Sequence, residues 1–149
     1  MTSLSQRLDQ AFKEALRGKQ AVALSTLRML KTAIRHREVE LKRQVTEEEL
    51  LGLINTQAKQ RREAINEYGK AGRPDLANKE EEELSILLSF LPPQLSQEEL
   101  EEEVSRIIQE AGASGPKDLG KVMKSAMAQL QGRADGKVVQ EIVRQRLSS

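Results

Sequence analysis

Apolar residues return every three to four positions along almost the whole chain. That period belongs to amphipathic helices, and it predicts seven helices and no strand. The first runs from about Ser3 to Arg17 on Leu4, Leu8, Phe12, Ala15 and Leu16, and Gly18 supplies a left-handed cap position. The second covers about Lys19 to Arg43, with Ala23, Leu27, Leu30, Ile34 and Leu41 on one side. The third opens on a capping box, Thr46 with Glu49, and reaches Tyr68 through Leu50, Ile54, Ala58 and Ile65. After a turn at Lys70–Asp75, the fourth runs to Ser89 on Leu76, Leu84, Leu87 and Leu88.

Pro92-Pro93 interrupts this pattern, because proline lacks an amide donor and restricts the residue before it. It divides the chain into an N-terminal helical domain of about four helices, residues 1–92, and a small three-helix C-terminal domain, residues 93–149. A second capping box, Ser96 with Glu99, opens the fifth helix, whose stripe is Leu100, Val104, Ile107 and Ile108 and whose end is Gly112. Gly115-Pro116 starts the sixth helix, with proline suited to its first turn, and Gly132 closes it. Asp135 is an N-cap for the seventh, on Val138, Val139, Ile142 and Val143. The expected fold class is therefore all-α.

At about 100° per residue, Leu119, Val122, Met123, Ala126, Met127 and Leu130 gather on one side of the sixth helix. Lys117, Lys121 and Lys124 gather on the other. Arg133 and Lys137 flank the hinge that follows. Gly132 and Gly136 would let a phosphate or ribose approach the backbone, and the start of the seventh helix would add amide donors. The functional reading is a grip on an RNA backbone. Capping and solubility explain the same residues without a ligand.

Charge sharpens that reading. The whole chain is nearly neutral, 24 Lys+Arg against 23 Asp+Glu. Residues 1–77 carry a net +5, residues 78–110 a net −8 and residues 111–149 a net +4. Basic ends around an acidic middle leave the ends available to an anion. Phe12, Tyr68 and Phe90 are the only aromatic residues, so stacking of single-stranded bases is not the expected mode.

Catalytic chemistry finds little support. His36 is the single histidine and there is no cysteine, which excludes thiolate zinc sites, cysteine nucleophiles and a disulfide scaffold. No phosphate loop, nucleophile elbow or dinucleotide fingerprint occurs. The runs Glu80–Glu83 and Glu101–Glu103 splay by about 100° per residue and cannot converge on one ion; they read as solvated faces. No cofactor and no metal are expected, nor a membrane partner, since no segment approaches the roughly 20 apolar residues of a span. Together with the absence of cysteine and of an apolar signal core at the N-terminus, this gives a cytoplasmic expectation.

Two features of the N-terminal half stand out. Arg61 falls in the middle of the third helix's apolar stripe, with Gln57 beside it. A buried guanidinium needs a partner. A glutamate of a neighbouring helix is the first reading, and an interhelical anion site and snorkelling are the others. The second helix carries a basic stripe of Arg28, Lys31, Arg35 and Lys42, interrupted by Glu38, and reads as a solvated face.

Several marks, in order, resemble the GatB/YqeY family, and within it the free-standing YqeY-type members. They are Lys59-Gln60-Arg61-Arg62-Glu63, Tyr68, Ala71-Gly72-Arg73, Asp75-Leu76-Ala77, Glu80 and Glu83. Further on come Phe90-Leu91-Pro92, Gln94-Leu95-Ser96, Asp118-Leu119-Gly120-Lys121-Val122-Met123, and Gly132 with Ala134-Asp135-Gly136. The resemblance covers nearly the whole length, and Pro74 stands where a polar residue is expected. It implies an all-helical protein whose C-terminal part is similar to the tail of the B subunit of tRNA-dependent amidotransferase. In that enzyme the tail helps hold the tRNA, while kinase and amidase chemistry reside elsewhere. It also implies an inherited label of carbon–nitrogen ligase with glutamine as amido donor, for which these residues offer no nucleophile, metal ligand or ATP loop.

The reading is a non-catalytic accessory protein that binds tRNA or another structured RNA. Lys117, Lys121, Lys124, Arg133 and Lys137 would neutralise phosphates, Gly132 and Gly136 would permit close approach, and Asp135 and Arg61 would be structural. The alternative is an adaptor that docks on an amidotransferase or translation factor.

Overall fold

The computed structural model describes residues 3–148. Among them every regular element is helical, and none is a strand. The chain divides into two compact units, Met1–Pro92 and Pro93–Ser149.

The first unit contains α1 (Leu4–Arg17), α2 (Ala21–Leu41), α3 (Glu47–Lys70) and α4 (Pro74–Leu88). Two of its helices start on reciprocal capping boxes, Ser3 with Gln6 and Thr46 with Glu49, each satisfying otherwise orphaned amides. The Glu49 carboxyl is held down to about 2 by Arg43, which donates to it, and by the Thr46 amide. Leu4, Leu8, Leu27, Leu30, Leu50, Ile54, Leu87, Phe90 and Leu91 form the core. These residues come from all four helices and the segment after α4, so no single helix is stable apart from the unit. Ile54 has no exposure, and truncating such a side chain to alanine costs about 2–5 kcal/mol.

The second unit contains α5 (Gln97–Ala111), a 3-10 turn (Pro116–Asp118), α6 (Leu119–Leu130) and α7 (Gly136–Leu147). Its core joins Leu100, Val104 and Ile107 of α5 to Val122, Ala126 and Leu130 of α6 and to Val139, Ile142, Val143 and Leu147 of α7. Gly112 ends α5 at φ 64°, where the Ala113 amide closes back on the Ile108 carbonyl at 3.2 Å. A side chain at that φ would be strained, which is why glycine occupies it.

Local details differ from the sequence expectation in several places, among them the expected turn at Lys70–Asp75, whose two ends belong to α3 and α4. Gly18 is right-handed at φ −82°, and Lys19 takes the positive φ of 52° instead. The closing bond, from the Gln20 amide to the Ala15 carbonyl at 3.0 Å, straddles Lys19, so the left-handed step falls one residue later. Consequently α2 begins at Ala21 rather than Lys19, and it stops at Leu41 because Lys42 is again left-handed at φ 58°. Finally, α6 begins at Leu119. Pro116–Asp118 is wound more tightly, with the Asp118 amide on the Gly115 carbonyl at 3.0 Å and its carboxylate accepting from the Ser114 amide at 3.0 Å.

Candidate nucleic-acid interface

The candidate interface is the outer side of the second unit. Val122, Ala126 and Leu130 fix the rotation of α6 by packing inward with 0–2% exposure. That phase turns Lys121 and Lys124 outward, and Lys117 projects from the preceding 3-10 turn; all three are exposed. Lys137, in the first turn of α7, is exposed as well. Among the described residues none of these four lysines has a carboxylate within 4.0 Å. Asp118 lies close enough to two of them that its carboxyl is held below its usual range, first by the Ser114 amide and then by the charges of Lys117 and Lys121.

Arg133 is different. It is half-buried, its carbonyl accepts from the Leu95 amide at 2.9 Å, and its charge adds to the Ser96 hydrogen bonds that lower the Glu99 carboxyl. Asp135 caps α7, accepting from the Lys137 amide at 3.1 Å.

The two glycines do not present the open backbone that the sequence suggests. Gly132 is buried with φ 77°, and its carbonyl accepts from the Gln94 side chain. Its freedom serves the α6–α7 turn. At Gly136 an added Cβ would meet the Met127 Cε at 3.2 Å, so the position is filled from within by α6. Neither internal contact has a signal in local spacing, since both join residues brought together only by the fold.

The charged site of the first unit is of another kind. Arg61 is 5% exposed and Glu83 6%. The Arg61 Nε lies 3.5 Å from Glu83 and 3.6 Å from Glu80 of α4. The Nε makes no hydrogen bond to either oxygen, so the attraction is ionic. The terminal nitrogens donate to Gln57 Oε1 at 3.2 Å and to Met29 Sδ of α2 at 3.5 Å. One side chain thus joins α2, α3 and α4. Burial first, and then the charge of Glu83, push the Glu80 carboxyl up. Two carboxylates already face Arg61, which removes the reading of an interhelical anion site. His36 is exposed.

Fold and site together define an all-helical protein of two units, one with a buried charge cluster and one with an unpaired lysine face. The sequence matches the Yqey-like protein family over residues 5–147, and the chain belongs to that family. It is 31% identical over 144 residues to "Altered inheritance of mitochondria protein 41, mitochondrial" of Pyrenophora tritici-repentis, covering 92% of this chain and 79% of the relative. The protein of the same name from Vanderwaltozyma polyspora is 30% identical over 104 residues, 68% of this chain and 56% of the relative. That of Lachancea thermotolerans is 30% identical over 112 residues, 73% and 60%. Among the described residues no helix is long and apolar enough to cross a membrane.

Proposed function

We propose that this protein is a non-catalytic accessory protein that binds tRNA or a tRNA-like fold through its second unit. One observation carries the reading: Lys117, Lys121, Lys124 and Lys137 are exposed and unpaired on a unit whose opposite, apolar side is consumed by its core. Unpaired surface cations are the groups that displace condensed counterions from a phosphate backbone. The scarcity of aromatic residues favours contacts to phosphate and shape over stacked bases. The resemblance of this part of the chain to the tail of an amidotransferase B subunit singles out tRNA among structured RNAs. Arg133 contributes a further, half-buried charge, Asp135 fixes the start of α7, and Gly132 and Gly136 shape the turn without touching the ligand. The test is titration of labelled tRNA at two salt concentrations with the parent and with the variant Lys117→Glu/Lys121→Glu/Lys124→Glu. Binding that weakens steeply with salt in the parent and is lost in the variant supports the proposal.

A second reading, an adaptor for an amidotransferase or translation factor, has its own observation. Leu16, Met29 and Val39 of the first unit are 47%, 48% and 71% exposed. Apolar docking through such residues is insensitive to salt, so the same titration, run with a protein partner, separates the two. A cytoplasmic location belongs to the proposal; the relatives carry "mitochondrial" in their names, and cell fractionation decides the compartment.

A further inference from the structure

Helix α2 carries a second basic surface, on the unit that contributes nothing to the lysine face. At about 100° per residue, Arg28, Thr32, Arg35, His36 and Val39 fall within an arc of about 100°, and Lys42, the left-handed residue that ends α2, follows them. All six are exposed. From Arg28 to Lys42 the strip is about 21 Å long at about 1.5 Å per residue. The arc contains no acid.

Three other basic residues in or just beyond α2 are spoken for. Lys31 bridges to Asp9 at 2.9 Å and lies over the Phe12 ring, Arg37 pairs with Glu40 at 2.9 Å, and Arg43 pairs with Glu49 at 2.7 Å. Glu38, which interrupts the basic run in the sequence, is turned aside to accept from the Val45 amide at 3.0 Å. Glu47, across the groove that Arg35 borders, accepts from the Leu4 amide at 2.8 Å. Arg28, Arg35 and Lys42 are left with no carboxylate within 4.0 Å among the described residues. In a chain with 23 acidic residues against 24 basic ones, pairing has sorted the cations of this helix. Those off the strip are neutralised, and those on it are not.

We propose that this strip is a second contact surface for the phosphate backbone of structured RNA. The proposal rests on the RNA reading given above. Three unpaired cations, two of them seven residues or about 10.5 Å apart on the helix and the third at its left-handed end, suit a line of phosphates. Thr32 adds a hydroxyl donor between them. Val39, 71% exposed between Arg35 and Lys42, offers an apolar contact to a sugar face. An acidic protein partner is the other occupant of such a surface. The lone apolar side chain gives it little area to bury, whereas a polyanion needs none.

The experiment uses the full chain with Arg28→Gln, Arg35→Gln and Lys42→Gln combined, titrated against labelled tRNA between about 50 and 200 mM salt. The expected result is a loss of affinity of about tenfold or more at the lower salt, and a slope of log K against log salt flatter by about 3. Arg37→Gln, on the opposite side of the helix, leaves both unchanged. Should the triple variant melt early, the single Arg28→Gln serves, with the slope flatter by about 1. If the strip variant binds like the parent while the lysine-face variant has lost binding, this inference is overturned and the RNA reading survives. If the parent shows no salt-sensitive binding, both fall.

Discussion

Arg61 in the first unit and Lys121 in the second are both cations on amphipathic helices, yet they meet opposite surroundings. Arg61 points into its unit, where Glu83, Glu80, Gln57 and Met29 surround it on three helices. Lys121 points out, with only the weak influence of Asp118 nearby. The difference follows from helix phase. Arg61 shares a stripe with Ile54 and Ala58, which have no exposure, whereas Lys121 lies away from Val122 and Ala126. A buried charge must find its partner within the fold, because desolvation costs several kcal/mol per ion. An exposed one has no such requirement and stays available to an outside ligand. Position relative to the apolar stripe therefore separates charges that hold the protein together from charges that can bind.

The sharpest way to break this comparison is Arg61→Ala. It strands the buried Glu83 and the adjacent Glu80 without their cation, and a cost of about 3–5 kcal/mol is expected. Denaturant unfolding would reveal it. A loss below about 1 kcal/mol would mean that the cluster is solvated and that the two charged sites do not differ in kind. The folded fraction of this variant is expected to bind RNA as the parent does.

Gly136→Val is the next largest. The new side chain meets Met127 at the α6–α7 packing, and although the methionine end can yield, overpacking of about 1–3 kcal/mol is expected. Its RNA affinity, once folded, should be unchanged. A variant of parental stability that binds RNA weakly would return Gly136 to the ligand-contacting surface.

The smallest effect concerns pH. The Glu80 carboxyl is raised in the folded protein, so the stability it contributes is full below its unfolded value and is lost as pH rises through its folded value. Glu80→Gln fixes the neutral form. The melting temperature of this variant relative to the parent should therefore climb as pH rises above about 4.5, by an amount worth less than about 1 kcal/mol. A constant difference across that range would show that neither burial nor Glu83 raises the Glu80 carboxyl.

Much of this contrast was legible in the sequence. Ser/Thr-x-x-Glu marked the starts of α3 and α5, the period of the leucines set the phase of every helix, and that phase placed Arg61 inside and the tail lysines outside. What was not legible depends on contacts distant in sequence. The run Glu80–Glu83 was read as a solvated face, yet its first and last members share the side of α4 that carries Ala77 and Leu87 and face Arg61. Met127 filling the space at Gly136, and Gln94 reaching the Gly132 carbonyl, turned two expected ligand glycines into structural ones. The basic stripe on α2 was legible and was read as a solvated face; what the sequence did not show is that Lys31 is taken by Asp9 and Glu38 by the Val45 amide. Local chain geometry accounts for the rest, with Lys19 rather than Gly18 taking the left-handed step and a 3-10 turn preceding α6.

The lysine face is expected to bind and not to support the fold. It is tested most directly by titrating tRNA with the parent and with Lys117→Glu/Lys121→Glu/Lys124→Glu at about 50 and 200 mM salt, with circular dichroism on both. Unchanged helicity and melting, parental binding that falls steeply with salt, and loss of most affinity in the variant are expected. A folded variant that binds as tightly as the parent, or a parent whose binding ignores salt, would contradict it.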